Sequence, residues 1–260
     1  MIRNQRKITL VLLFSIVLCM MFALPVSAKS KGYVKAYKEL LEKGSFSYSY
    51  TDKYWSDGKL QTSTYSGSEM KIDGFTLLNV DGKGVPELIL KVHYASSSDE
   101  YTSSVVATYK GGKVKFLSAD TDNYILFSLG KVSIKYNENG KSSRKNADAV
   151  YYSKANKALY SEYKYTDLYG VDLKGKHFKR NSIYKTLYKI KGSCLIEYKT
   201  SYKSTTNRGY QEYTTGNNKT TSVNYHSAKA YNAFDRKYFK GLKKYKFYSL
   251  TASNIKKRVK

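Results

Sequence analysis

The chain is poor in cysteine, proline, histidine and acidic residues. Among its 260 residues are two cysteines and two prolines, so a disulfide scaffold and a proline-rich linker are both excluded. The three histidines stand alone, without the spacing of a zinc site. No phosphate-binding glycine loop or serine-hydrolase elbow occurs. What the chain has instead is 28 tyrosines and 46 Lys and Arg against 20 Asp and Glu, a formal net charge of +26.

The N-terminus carries the one long apolar run. Arg3, Arg6 and Lys7 precede an uncharged segment at residues 8–24, and small residues follow up to Ala28. This order predicts a signal peptide over residues 1–28 that is cleaved, in preference to an uncleaved membrane anchor. We therefore expect a mature chain, residues 29–260, that forms one domain, has no transmembrane segment, and is secreted, extracellular or associated with the cell wall.

The mature chain reads as one helix followed by many short strands. Residues 33–42 have apolar side chains at helical spacing. Beyond them, apolar runs alternate with turn residues, as around Gly111-Gly112 and Gly192. In the same way, Ile125–Leu129 is expected to pair with Val132–Tyr136. The pattern lacks the strand–helix–strand alternation of a parallel sheet.

Two further helices are expected near the C-terminus. Ser227 and Thr251 have the side chains of N-caps, and each precedes a segment with helical spacing. The predicted fold class is α+β: an N-terminal helix, a large twisted antiparallel β-sheet of successive hairpins, and short C-terminal helices.

One loop has the residues of a metal site. Asn79, Asp81 and Glu87 occupy positions 1, 3 and 9 of a loop that also contains Gly82 and Gly84. Alternate oxygen-bearing side chains with glycines between them are typical of calcium loops. The segment resembles the D-x-D-G-D-G-x-P-E-L loops of uncharacterised secreted proteins from Gram-positive bacteria, and is similar to the calcium loops of FG-GAP and VCBS repeats. The resemblance implies Ca²⁺ as a cofactor.

The same loop departs from that pattern at two positions. Asn79 stands where the pattern has its first Asp, and Lys83 places a cation where it has another. Two carboxylates are few for a hard divalent ion. The alternative is a loop that is only a tight turn into the following strand.

Catalytic constellations are weak. Cys194 with His177 or His226 could form a cysteine hydrolase, although its surroundings predict a turn into a strand, without the helix N-terminus that activates such a thiol. Tyr198 and Tyr202 have the spacing of the haem ligands in NEAT-type domains, but so many tyrosines produce this spacing by chance. We assign no catalytic residue.

The positive charge points to an anionic partner. Lysine predominates, and lysine attracts polyanions without strict geometry. The main function expected is non-catalytic binding of teichoic acid, another surface polyanion or a glycan, without specific recognition of nucleic acid. The alternatives are an extracellular hydrolase acting on polysaccharide or peptide, a calcium-stabilised structural module, and lysines that serve only solubility. The candidate polyanion-binding residues are Lys174, Lys176, Lys179, Arg180, Lys243, Lys244, Lys256, Lys257 and Arg258.

Overall fold

A computed structural model describes residues 32–56, 59–65, 69–95, 100–119, 125–137, 141–171, 177–207, 210–217 and 224–260. The predicted signal peptide at residues 1–28, together with Lys174 and Lys176, lies outside the described residues.

The described chain is mainly β-strand with three short helices. Helix α1 covers residues 32–43, α2 is Ala228–Phe239 and α3 is Ala252–Arg258. The strands are β1 (Ser45–Ser47), β2 (Tyr50–Ser56), β3 (Lys59–Tyr65), β4 (Glu69–Leu78), β5 (Glu87–Ala95), β6 (Glu100–Lys110), β7 (Lys113–Phe116), β8 (Ser118–Ala119), β9 (Gly130–Tyr136), β10 (Ser142–Lys145), β11 (Ala149–Ser153), β12 (Ala158–Val171), β13 (His177–Lys191), β14 (Cys194–Thr206), β15 (Gln211–Asn217), β16 (Asn224–Tyr225) and β17 (Lys243–Lys246).

The strands form two large sheets and a separate β2–β3 hairpin. The first sheet is antiparallel, in the order β1-β4-β5-β6-β7. The second has the order β10-β9-β12-β13-β14-β15-β16, with β11 and β17 joined to β12 and β8 joined to β14. The mainly antiparallel architecture is confirmed. The second sheet nevertheless contains two parallel pairs, β9 with β12 and β8 with β14. The sequence does not predict these pairs, because it lacks strand–helix–strand alternation.

The first sheet lies between helices and the second sheet. Its strands alternate, so that Leu88 and Leu90 pack with α1 and α3 on one side. On the other side, Ile89 and Val106 pack with residues of the second sheet. Helix α2 covers the far face of the second sheet, where Phe239 contacts a separate buried cluster. The second sheet therefore has one face turned toward the core and one face shared by α2 and solvent.

Local turn chemistry explains the hairpins that the sequence predicts. Gly111 and Gly112 both have positive φ between β6 and β7, as a two-residue hairpin turn of this kind requires. Gly192 has positive φ between β13 and β14. The N-caps are confirmed as well, since the side chains of Ser227 and Thr251 accept hydrogen bonds from backbone N–H groups of α2 and α3.

The expected pairing of Ile125–Leu129 with Val132–Tyr136 is wrong. Within 125–129, Phe127 makes a single bridge to Ser104 of the first sheet. Strand β9 pairs instead with β10 and β12. The reason lies at Gly130, whose φ of +90 redirects the chain against the backbone of β11.

Candidate anion-binding face

Lysines from five neighbouring strands project from the same face of the second sheet. Lys145 of β10 lies opposite Ser133 of β9. On its other side, Ser133 lies opposite Lys164 of β12. Residues directly opposite one another share a face, and side chains alternate along a strand. The register therefore places many lysines on the side that α2 packs on, among them Lys185, Lys199 and Lys244. Six of them are called the lysine face below: Lys131, Lys135, Lys145, Lys164, Lys179 and Lys203.

Few carboxylates balance this charge. Glu162 is buried, with one oxygen 3.2 Å from the Lys164 ammonium and the other accepting a 2.7 Å hydrogen bond from the Tyr160 hydroxyl. Asp235 of α2 pairs with Lys185. No carboxylate of the described residues pairs with the remaining lysines of the face: Lys131, Lys135, Lys145, Lys179 and Lys203. These ammonium groups are therefore available to an external anion.

An open concavity of about 680 Å³ lies at one end of the lysine face. Lys135 and Lys179 line it with Thr166 and Asn181. The Thr166 hydroxyl donates a 2.8 Å hydrogen bond to the side-chain oxygen of Asn181. Since the Asn181 oxygen accepts this bond, its amide nitrogen keeps the donor role, and the concavity is lined by two cations and a neutral donor.

The basic residues singled out from the sequence lie on separate elements. Lys179 is on the lysine face, whereas Arg180 projects from the opposite face and forms a bidentate ion pair with Asp167. That pair raises the pKa of Arg180 above its usual range. Lys244 pairs with Asp148 across 2.9 Å and lowers the pKa of that carboxyl.

The remaining predicted residues are at the C-terminal end of the chain. Lys243 lies on the edge strand β17. Lys256, Lys257 and Arg258 form the last turn of α3, where the Arg258 guanidinium lies 4.1 Å from the centroid of the Tyr248 ring. These residues share no face with the concavity in the register of the sheets.

In the loop with the calcium-like spacing, the side chains bond to the protein. Glu87 is 2% exposed, and one carboxylate oxygen accepts a 2.7 Å hydrogen bond from the Val80 N–H. Asp81 accepts a hydrogen bond from the Lys83 N–H, and its second oxygen lies 3.5 Å from the Lys83 ammonium. Asn79 is exposed. These contacts fit a closed turn stabilised by internal donors better than an open shell of metal ligands.

Burial governs the chemistry of Glu87. Its pKa is raised to about 7, mainly by loss of solvation; the Val80 N–H opposes the shift and nearby Asp81 adds to it. The hydroxyls of Tyr37 and Tyr152 donate to the carbonyls of Pro86 and Val80 on either side of the loop. A half-protonated carboxyl at neutral pH is a poor ligand for a hard cation.

Cys194 is far from both histidines considered as its partners. It pairs with Lys191 at one end of β13, whereas His177 begins that strand at the other end, roughly 40 Å away at the rise of a β-strand. His226 bonds instead to Thr215, 2.6 Å away. The Cys194 sulfur lies 3.7 Å from the Ser118 hydroxyl. The structure therefore assembles no cysteine–histidine pair from these residues.

Comparison with protein-family models, with curated proteins and with solved structures gave no significant match. Among the described residues, no helix is long and apolar enough to cross a membrane. The same part of the chain contains no group of three or more His, Cys, Asp and Glu side chains able to hold a metal.

Most of the lysine face was missed from the sequence. Lys131, Lys135, Lys164 and Lys203 do not lie in runs of basic residues but alternate with other residues along their strands. Period-two spacing of lysine within a strand was the available signal. It becomes informative only when the pairing register brings the strands together.

Proposed function

We propose that this chain is an exported, non-catalytic protein that binds an anionic surface polymer or an anionic glycan through the lysine face. The observation that carries the proposal is the convergence of Lys135, Lys179 and Lys203, without carboxylate partners among the described residues, on one exposed face. Export itself rests on the signal peptide expected at residues 1–28.

The dimensions of the face favour a polymer over a small anion. Lys145 and Lys203 are separated by four strand spacings, or about 19 Å. Along β9, Lys131 and Lys135 are about 13 Å apart. A ligand with repeating negative charges can contact several of these ammonium groups at once.

Lysine chemistry sets the mode of recognition. A lysine ammonium is a solvated point charge with three rotatable donors, and it imposes little geometry on its ligand. Attraction between such a face and a polyanion releases condensed counterions and weakens as salt rises. We therefore expect broad selectivity for anionic polymers and a steep dependence on ionic strength. Teichoic acid is the proposed ligand class for a wall-associated protein.

The direct test is co-sedimentation of the purified secreted chain with Gram-positive wall sacculi over a salt series. One sample retains its teichoic acid and a matched sample has been stripped of it. We expect binding that requires the teichoic acid and disappears at high salt. Absence of binding at low salt would overturn the proposal and direct attention to assays for an extracellular hydrolase.

A charge-matched pair of variants assigns the binding to the face. The triple variant K135Q/K179Q/K203Q removes three charges from the lysine face. The control K43Q/K113Q/K115Q removes three exposed charges from α1 and the β6–β7 hairpin. If each lysine displaces about one counterion, the face variant should lower the slope of log affinity against log salt by roughly three. Equal losses in both variants would show that net charge, and not this face, drives binding.

A further inference from the structure

A second group of lysines, from β13, β14 and α2, is ordered by two tyrosine rings. Lys189 lies 3.6 Å from the centroid of the Tyr198 ring, and Lys199 lies 4.8 Å from the same centroid. Lys199 is also 4.8 Å from the centroid of the Tyr238 ring, over which Lys237 lies at 5.3 Å. These five residues are called the Lys–Tyr cluster below.

A bulge in the sheet creates the cluster. In the β13–β14 ladder, Leu187 pairs with Lys199 and Tyr188 pairs with Glu197, which leaves Tyr198 as the extra residue. A bulged residue changes the direction of its side chain relative to a regular strand. Here the ring of Tyr198 comes to lie between two lysines of the same face.

The ammonium groups of the cluster have no acidic partner among the described residues. Lys199 donates to the side-chain oxygen of Asn217, a neutral acceptor. Glu197 alternates to the opposite face, and Asp235 is occupied by Lys185. Three like charges thus share two rings with no carboxylate between them.

The rings hold the lysines in place without neutralising them. A cation–π contact orients an ammonium group and reduces the side-chain freedom lost on binding. Each ammonium keeps donors that do not face the ring. The cluster is therefore a partly ordered set of cationic donors, in which three lysines share two rings, whereas Lys131 and Lys203 of the lysine face each lie over a ring of their own.

We propose that the Lys–Tyr cluster is a discrete binding site for a phosphate group. Several point charges gathered around two rings can contact the distributed oxygens of phosphate, whereas a carboxylate is matched best by the planar fork of arginine. The proposal deepens the proposed function and rests on it for its biological setting. The phosphate can belong to a phosphodiester polymer or to a phosphomonoester.

Calorimetric titration of the purified secreted chain at low salt distinguishes these sources. The probes are a glycerol phosphodiester oligomer, glycerol 3-phosphate, and an oligogalacturonate of matched charge. Binding of either phosphate probe in preference to the carboxylate supports the site, and the stronger of the two identifies the source. Equal affinity for the carboxylate probe would overturn it.

Variants connect the binding to these side chains. We expect K189Q/K237Q to weaken the preferred phosphate probe about tenfold, because two charge-assisted contacts are lost, and the matched control K113Q/K115Q to retain it. Tyr198→Phe keeps the ring and should keep the affinity, whereas Tyr198→Leu should lose it. Circular dichroism verifies that each variant is folded.

The outcomes separate this inference from the proposed function. If the chain sediments with sacculi only when teichoic acid is present, but K189Q/K237Q binds phosphate as well as the natural chain does, the site alone is overturned. Phosphate binding that depends on the cluster, without any binding to sacculi, overturns the wall-polymer function and leaves the site standing.

Discussion

Replacing Glu87 by Gln should remove a loss of stability that the natural chain undergoes as pH rises. Glu87 is 2% exposed and its pKa is raised from 4.5 to about 7, mainly by burial. Between these values the folded chain keeps the proton and the unfolded chain releases it. Stability contributed by the neutral carboxyl is therefore complete below about pH 4.5 and is lost as pH rises through about 7.

The size of the effect follows from this window. At about 1.4 kcal/mol per pH unit, the natural chain should lose about 3 kcal/mol relative to the Gln variant between pH 4.5 and 7.5. The groups facing Glu87 are Asp81, Tyr37, Tyr152 and the Val80 N–H. None of the titratable members of this set has an ordinary pKa inside the window, so Glu87 itself should dominate it.

The assay is urea unfolding of both chains from pH 4.5 to 8, with Glu42→Gln as a control that removes one exposed carboxylate of α1. Comparing differences between chains cancels the general effect of acid on a basic protein. We expect the gap between Glu87→Gln and the natural chain to change with pH, and the gap for the control to stay nearly constant. A Glu87→Gln gap that is the same at both ends of the range would refute the reasoning.

Three other predictions concern turns, caps and the metal. Gly130→Ala should destabilise the fold by roughly 3 kcal/mol or more in chemical denaturation, because its Cβ would lie 2.3 Å from a backbone oxygen; Gly44→Ala, with positive φ but open space, should cost about 1 kcal/mol. Ser227→Ala should cost about 1 kcal/mol in the same assay by removing the α2 cap. Millimolar Ca²⁺ should leave the Tm of the natural chain unchanged and raise that of the variant Asn79→Asp/Lys83→Asp, since only the variant has enough carboxylates.

Local features of the fold were predictable from the sequence, and pairings between distant strands were not. The β6–β7 hairpin depends on adjacent glycines at Gly111-Gly112, and α2 begins at the capping side chain of Ser227. The parallel pairing of β9 with β12 has no local signal, because two intervening strands and not a crossover helix connect them.

The candidate sites divide in the same way. The sequence drew attention to runs such as Lys256-Lys257-Arg258, which lie together on α3. The lysine face depends on the register of five strands. The Lys–Tyr cluster depends further on a bulge at Tyr198 that shifts the register by one residue. Neither property can be read from a single segment.

Some strands of the second sheet carry tyrosine on one face and lysine on the other, which bears on why the chain contains so much of both. Along β12, Tyr163 and Tyr165 project from one face and Lys164 from the other, and on β14 Tyr202 and Lys203 divide in the same way. On the tyrosine side, the rings of Tyr184 and Tyr202 lie 4.4 Å apart. In these segments the alternation places tyrosine on one side and lysine on the other, while Tyr160 and Tyr213 share the lysine face.

The tyrosine side is also the side that packs on the first sheet, so burial excludes lysine from part of it. Tyr184 is 43% exposed there, so that side also meets solvent, yet the lysines of β9, β12 and β14 described above project from the other face. Concentrating like charges on one face raises their mutual repulsion, which water and salt screen and an external polyanion neutralises directly. Burial accounts for the absence of lysine from the core-facing part of the tyrosine side, and polyanion binding would account for the concentration of charge on the lysine face. Moving charge to the opposite side tests this point: K135Q/K179Q combined with Y163K/Y184K keeps the net charge and should still lose teichoic-acid binding, whereas retained binding would show that net charge, and not the lysine face, drives it.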